Sequence, residues 1–220
     1  MRALVIGQSG GIGAAACAEL ASRGYSITGL SRRTEGLDIT DEASLARVLG
    51  AFDGPYDLIL VATGALELEG VGPEKSLRGV TAQALMRQFA LNAMGPALVL
   101  KHALRLLPRG APSHFAVLSA RVGSIGDNAL GGWYSYRAAK AALNQLIHTG
   151  AIEAARSHPQ SVVVCLHPGH VATPLSLKYG GNLPAIAAGA AAGNLLDVLL
   201  SLTPAQSGGF FDGQGRAIPW

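Results

Sequence analysis

Short apolar runs alternate along the chain with longer segments whose apolar residues recur at helical spacing. Strands are predicted at Ala3–Ile6, Ser26–Leu30, Asp57–Val61, His114–Ser119 and Ser161–His167, with a last short one at Phe210–Phe211. Helices are predicted at Gly11–Arg23, Asp41–Leu49, Thr81–Leu107, Trp133–Ser157 and Pro184–Leu202. The strand runs are apolar along their length rather than alternating with polar residues. Strands buried on both faces have that composition, and β and α segments in alternation build a parallel sheet with helices on each side. Right-handed crossovers are expected. Pro108 and Pro112 end the third helix before the fourth strand. The second helix should be capped by Thr40, with Asp41 and Glu42 favouring its first turn. Pro174–Pro184, rich in Gly and Leu, reads as a mobile lid over a pocket.

No linker, repeat or low-complexity segment divides the 220 residues, so residues 1–220 should form one α/β domain. Only 14% of residues are charged and 49% are hydrophobic, which requires a large buried fraction. The net charge of +3 comes from scattered Lys and Arg without aromatic interleaving, which argues against a nucleic-acid partner. No apolar run reaches membrane-spanning length. Met1-Arg2 and Ala14-Ala-Ala-Cys17 mimic the ends of a lipoprotein signal, but four glycines interrupt the stretch between them. With the chain beginning at Met1, a cytoplasmic protein is expected. Cys17 and Cys165 read as buried free thiols, and the six His show no metal spacing.

Candidate chemistry begins where the first strand ends. Gly7-Gln-Ser-Gly-Gly11-Ile-Gly13 leads directly into an Ala-rich helix. Glycines permit a tight turn and close approach of backbone N–H groups to a pyrophosphate, whose charge the helix N-terminus favours. The same residues match the serine-nucleophile pattern G-x-S-x-G, but only six residues precede Gly7, too few for the upstream oxyanion loop of such a hydrolase. In mid-chain, Tyr136 and Lys140 are four residues apart, on one face of a predicted helix. An ammonium beside a phenol lowers its pKa and makes it a candidate proton donor to a carbonyl oxygen. Taken alone, the pair also fits a Tyr and a Lys snorkelling along a helix surface.

Gly7-x-x-x-Gly11-x-Gly13 followed by Tyr136-x-x-x-Lys140 resembles the short-chain dehydrogenase/reductase family over essentially the whole chain. Arg121–Asn128, Gly131–Lys140 and Gly208–Trp220 resemble its branch of C-factor-like proteins and small carbonyl reductases. The resemblance implies a single Rossmann-type domain, doubly wound, that binds NADP(H) and reduces a small-molecule carbonyl. It makes Tyr136, Lys140 and Asn92 catalytic, with Asn92 kinking its helix and holding a water near Lys140. The cofactor-binding positions it implies are Gly7, Ser9, Gly11, Ile12 and Gly13 at the glycine turn, then Asp38 and Ile39 near the adenine. Ala62, Thr63 and Gly64 follow the third strand, Tyr136 and Lys140 hold the nicotinamide end, and Pro168, Gly169, Val171 and Thr173 lie in the turn after the fifth strand. Ser31-Arg32-Arg33 stands about 20 residues past the glycine turn, where an acid would bind a ribose 2′-hydroxyl; two arginines and no acid favour NADP(H). The resemblance also implies that the long helices Thr81–Leu107 and Trp133–Ser157 pack across a two-fold axis into a homodimer or homotetramer.

Two departures from the family pattern stand out. Val61-Ala-Thr-Gly64 replaces its Asn-Asn-Ala-Gly. Ser119-Ala120 replaces its Ser-Ser pair, which puts Ala120 where the catalytic serine is expected. Ser124, four residues on, is the favoured substitute donor, strand alternation points Ser119 away, and the alternative is that neither serine replaces the hydroxyl. Leu130, Trp133, Tyr134, His170 and Tyr179 are expected to line an apolar substrate pocket. The alternative function is a nucleotide-binding signalling or regulatory protein with little turnover, which Ala120 and the C-factor resemblance favour.

Overall fold

The structure is a computed structural model that describes residues 1–173, 178–179 and 184–220. Among the described residues, six strands pair in parallel: β1 (Arg2–Ile6), β2 (Ser26–Leu30), β3 (Leu58–Val61), β4 (Ser113–Leu118), β5 (Ser161–His167) and β6 (Phe210–Asp212). Their order in the sheet is β2-β1-β3-β4-β5-β6. The helices are α1 (Gly11–Ser22), α2 (Glu42–Gly50), α3 (Ala82–Phe89), α4 (Gly95–Ala103), α5 (Tyr134–Ala154) and α6 (Ala188–Ser201).

Fully apolar strands serve both faces of the sheet. Ile6, Ile59, Val117 and Val163 point to one layer, where α2, α4 and α5 supply Leu45, Val99, Leu143 and Ile147. Val5, Leu60, Leu118 and Val164 point to the other, where α1 and α6 supply Leu20, Leu195 and Leu199. Phe210 joins the first layer and its neighbour Phe211 the second, so even the three-residue β6 is clamped between helices. This is the doubly wound α/β architecture expected. Among the described residues no helix is long and apolar enough to cross a membrane.

Local details differ from the pattern-based reading. Residues 81–107 are not one helix. α3 gives way to a π-helical turn at Ala90–Met94 before α4 begins, and Leu104–Leu106 tighten into a 3₁₀ turn. Pro96 has no N–H to return to the Asn92 carbonyl, which breaks the helical ladder there. Gly95 lets this turn press on the loop after β2, because a Cβ would stand 2.8 Å from the Ile39 side chain. The cap of α2 is Asp41, not Thr40; its carboxylate accepts from the Ala43 N–H at 3.0 Å. Thr40 instead donates its hydroxyl to Asp38 at 2.7 Å. The last long helix begins at Ala188 rather than Pro184, after a β-bridge between Val171 and Ile186. Cys165 is buried, whereas Cys17 is only partly so. The segment read as a lid lies largely outside the described residues.

Candidate active site

β2 and β3 flank β1 on opposite sides, so the chain leaving β1 and β3 diverges and opens a crevice at the strands' carboxyl ends. Gly7 begins the turn with φ +95°, and a Cβ there would lie 2.8 Å from the Ala62 carbonyl oxygen. Gly13 shapes the turn from behind: its Cβ would meet the Gly7 carbonyl at 2.1 Å, so only glycine lets α1 pack this close. No side chain caps the N-terminus of α1, and Gly10, Gly11 and Ile12 line the crevice with their first-turn backbone.

Two adjoining cavities fill the crevice. The outer one, about 530 Å³, runs from Ser31, Arg32, Asp38 and Ile39 to Thr63 and Gly64. The inner one, about 370 Å³, runs from Ser9, Gly11 and Ile12 past Ala62–Gly64 to Tyr136 and Lys140, with Pro168 and Thr173 on its far wall. Besides Gly13, behind the turn, three expected positions fall elsewhere. Arg33 is exposed and lines neither cavity, Val171 is buried beside Ile186, and Gly169 lies on the other side of Tyr136.

The loop after β2 carries an acid that sequence reading missed. Glu35 folds back so that its carboxylate accepts from the Ser31 N–H at 2.6 Å, from Gln8 Nε2 at 3.3 and 3.4 Å, and from the Thr34 hydroxyl. These bonds, led by that from Thr34, hold its pKa below the usual carboxylate range. A tight turn returning Glu35 N–H to the Ser31 carbonyl places it there, and nothing in the spacing of Ser31-Arg32-Arg33 announces that turn.

Tyr136 and Lys140 stand one turn apart on α5, as expected. The Lys140 ammonium is buried, donates to the Leu118 carbonyl at 2.9 Å and lies 5.8 Å from the Tyr136 ring centroid. Gly123 makes this possible, because a Cβ there would stand 2.7 Å from that of Lys140. The expected lowering of the Tyr136 pKa by Lys140 is not what the arrangement produces. Burial pushes Tyr136 up to about 12 and Lys140 down to about 8. Lys140 addresses a backbone carbonyl rather than the phenol oxygen, and desolvation outweighs charge. Tyr136 therefore holds its proton at neutral pH.

Asn92 lies fully buried in the π-turn. Its side chain brackets Ala65, accepting from the N–H at 3.1 Å and donating to the carbonyl at 2.9 Å, and it also donates to Gln88 Oε1 at 2.5 Å. It thereby fixes the loop after β3 that floors the inner cavity. Gly64, in that loop, sits within 2.9 Å of the Asn92 Oδ1 and 3.4 Å of the Lys140 Nζ, measured from the Cβ it lacks.

The serine expectation needs correction. Ser124 is buried, accepts from the Asp127 N–H at 3.1 Å and lines neither the inner cavity nor the one beyond Tyr136. The 3₁₀ turn Arg121–Gly123 carries it into a cap for the following turn, away from the tyrosine. Ser119 donates to Asn144 Oδ1 at 2.6 Å, its side chain held against α5. Ser119 lines the inner cavity together with Tyr136, and Ala120 lines the one beyond the tyrosine. In that same cavity are two imidazoles that sequence reading left as turn or pocket-lining residues. Among the described residues, both ring nitrogens of His170 and Nδ1 of His167 are buried without a partner, and burial draws His167 down to about 4, so it is neutral.

The cavity beyond Tyr136 measures about 400 Å³ and is walled by Leu66, Val122, Ala129, Leu130 and Trp133. His170 and Tyr179 line it as expected; Tyr134 does not, and is partly exposed. The N-terminus of α5, which aims Tyr136, is held by another residue the sequence did not announce. Trp133 caps it in a left-handed conformation at φ +53°. The buried Glu74 accepts from the Ser135 N–H at 3.1 Å and from its hydroxyl, and the Glu74 carbonyl accepts from Trp133 N–H at 2.6 Å. A carboxylate at a helix N-terminus contributes roughly 0.3–2 kcal/mol.

Known proteins share this architecture and sequence. Residues 6–199 match the family described as enoyl-(acyl carrier protein) reductase. The chain is 32% identical over 206 residues to the 1-hydroxy-2-glutathionyl-2-methyl-3-butene dehydrogenase of Rhodococcus sp., covering 92% of this chain and 84% of the relative. It is 34% identical over 168 residues to the C-signal protein of Myxococcus xanthus, covering 76% of this chain and 94% of that one. A crystal structure of a short-chain dehydrogenase/reductase from Burkholderia multivorans with bound NADP superposes with a TM-score of 0.82 at 27% identity, covering 100% and 99% of the two chains. With the glycine turn, the Tyr136–Lys140 pair and the doubly wound sheet in one molecule, the chain belongs to the short-chain dehydrogenase/reductase family.

Proposed function

We propose that the protein is a cytoplasmic NADP(H)-dependent oxidoreductase that reduces an aldehyde or ketone to an alcohol, with Tyr136 as the proton donor. The observation that carries this reading is the place of Tyr136, which lines both the inner crevice cavity and the apolar cavity beyond it. A donor on that shared wall can reach a carbonyl whose carbon faces the crevice.

The crevice residues fit a dinucleotide. The uncapped N-terminus of α1 offers N–H groups to a pyrophosphate, and the buried Thr63 hydroxyl, without a partner among the described residues, lines both crevice cavities. The cofactor, when bound, supplies the hydride. Tyr136 gives its proton to the carbonyl oxygen, and its high pKa keeps that proton available at neutrality. Lys140, one turn on, places a positive charge 5.8 Å from the Tyr136 ring, where it favours the developing tyrosinate. The neutral imidazole of His167 offers the second hydrogen bond that Ala120 lacks.

Arg32 on the outer wall supports NADP(H), and the Burkholderia relative was crystallised with NADP. Glu35 opposes it, because its carboxylate occupies a ring of donors suited to an anion. NADPH is expected to bind roughly ten-fold or more tightly than NADH, as one charge-assisted phosphate contact is worth on the order of 1.5–3 kcal/mol. Glu35→Gln, which removes the competing charge, should widen that preference about five-fold. Titration of both cofactors into both proteins decides, and tighter NADH binding by the native chain sinks the reading.

Two copies are proposed to associate through α3 and α5, whose outer faces expose Met86, Phe89 and Ile152. Light scattering at micromolar concentration tests this; a particle of 22.5 kDa refutes it. A second reading, a nucleotide-binding signalling protein with little turnover, is favoured by Ala120 and by the C-signal relative. Absence of turnover across a panel of aldehydes and ketones selects it.

A further inference from the structure

The cavity beyond Tyr136 is apolar but not neutral. Three charged residues reach it: Arg121, Asp127 and Arg137. Arg121 is doubly matched, Nη1 with Asp127 at 3.1 Å and Nη2 with Asp212 at 3.3 Å. Arg137 has no such match. Its Nε donates to the Gly131 and Gly132 carbonyls at 3.2 and 2.9 Å, and its Nη1 to the Val122 carbonyl at 3.2 Å. Carbonyls satisfy N–H donors without neutralising the charge. Among the described residues no carboxylate pairs with Arg137, and residues 174–177 and 180–183 contain no Asp or Glu that might.

Position makes this charge consequential. Arg137 follows Tyr136 directly on α5, and both side chains line the same cavity. Three backbone bonds hold the guanidinium in one orientation, and among the described residues the Nη2 group makes no bond. An uncompensated, half-buried guanidinium beside apolar walls is a site for an oxyanion brought by the ligand.

We infer that Arg137 binds an anionic group of the substrate, a carboxylate or phosphate, so that the carbonyl compounds reduced are those with an apolar body and an acidic group. This rests on the proposed carbonyl reduction at Tyr136 and narrows its substrate class. The anion docks at Arg137, the apolar body lies along Val122, Leu130 and Trp133, and the carbonyl reaches Tyr136. Lys in place of Arg137 would keep the charge but lose the carbonyl-anchored fork.

The test compares matched aldehydes: 3- and 4-formylbenzoate, their neutral methyl esters, and 4-formylphenyl phosphate. The native protein should show kcat/KM at least ten-fold higher for an acid than for its ester, mainly through KM, and the carboxylate and phosphate arms show which oxyanion is preferred. Arg137→Met should abolish that difference while changing ester turnover by less than about three-fold. Equal turnover of acids and esters by the native protein overturns the inference and leaves carbonyl reduction standing. Parallel loss of acid and ester turnover in Arg137→Met, with a lowered Tm, would make Arg137 a clamp for the Gly131–Gly132 loop and overturns it too. If no aldehyde is reduced, the carbonyl-reductase reading fails, and binding decides the rest. Quenching of Trp133 fluorescence by 4-formylbenzoate should then be lost in Arg137→Met, and equal quenching in both proteins overturns the anion site.

Discussion

Tyr136→Phe is expected to lower carbonyl reduction by about 10²-fold or more while leaving the fold and cofactor affinity intact. The expectation follows from what the hydroxyl does and does not do. It makes no hydrogen bond with the described residues, so its loss leaves no buried partner unsatisfied. The ring, which carries the packing, stays edge-on to Trp133 at 6.4 Å. What disappears is the proton at the wall between the two cavities, and loss of a general acid costs roughly 10²–10⁴-fold. The pH dependence has a definite sign. With its pKa near 12, Tyr136 is protonated across the neutral range, so reduction should not require acid. Alcohol oxidation needs the tyrosinate and should accelerate as pH rises. Steady-state kinetics in both directions check this, with Tyr134→Phe as the control. Tyr134 lines neither cavity, so its variant should keep most activity. A dead Tyr134 variant beside an active Tyr136 variant would refute the assignment.

Lys140→Met is expected to reduce turnover by about 10²-fold or more and, at the same time, to stabilise the protein. Burial lowers the Lys140 pKa from 10.5 to about 8, so the charged form is disfavoured in the folded state. For a lysine whose folded pKa is depressed, the destabilisation is complete below pH 8, where both states carry the proton. It is relieved as pH rises from about 8 toward 10.5, where the unfolded chain alone keeps it. The full penalty is on the order of 3 kcal/mol, from which the lost bond to the Leu118 carbonyl subtracts roughly 1–2 kcal/mol. A net gain of about 1–2 kcal/mol corresponds to a rise in Tm of roughly 2–8 °C at pH 7 for a chain of this size. The gap between variant and native protein should narrow between pH 8 and 10. Thermal unfolding across that range is the measurement. A Tm lowered by several degrees at pH 7 would mean that Lys140 stabilises the fold, contrary to the dominance of burial. Stability held back at Lys140 would fit the catalytic role proposed for it.

Much of this molecule was legible in one dimension because its determinants are local or periodic. Apolar runs such as Leu4–Ile6 and Val162–Leu166 can be buried only when both sheet faces are covered, so the doubly wound architecture follows from composition by segment. The glycine turn is equally local, since Gly7 and Gly13 are required by contacts within seven residues or with the adjacent strand end. The Tyr136–Lys140 pair depends only on helical spacing. Where the reading erred, a long-range contact or an irregular local turn had intervened. The helix at 81–107 breaks because Asn92 reaches across 27 residues to Ala65 and Pro96 withholds a bond. Ser124 looked close to Ala120 in sequence, but a 3₁₀ turn spends its hydroxyl on Asp127.

The sequence by itself determined the parallel sheet, the glycine turn after β1 and the Tyr136–Lys140 pair, because backbone geometry translates spacing directly into proximity. Tertiary structure decided the balance of forces on those residues. Only folding buries Tyr136 and Lys140 deeply enough for desolvation to govern both pKa values. Only folding sets Glu74 on the N-terminus of α5 across 61 residues. The loop after β2 curls Glu35 onto the Ser31 N–H, and the chain closes Arg121 onto Asp212 while no acid among the described residues pairs with Arg137. Burial and charge pairing depend on which distant segments meet, and that is a property of the packed chain rather than of any interval along it.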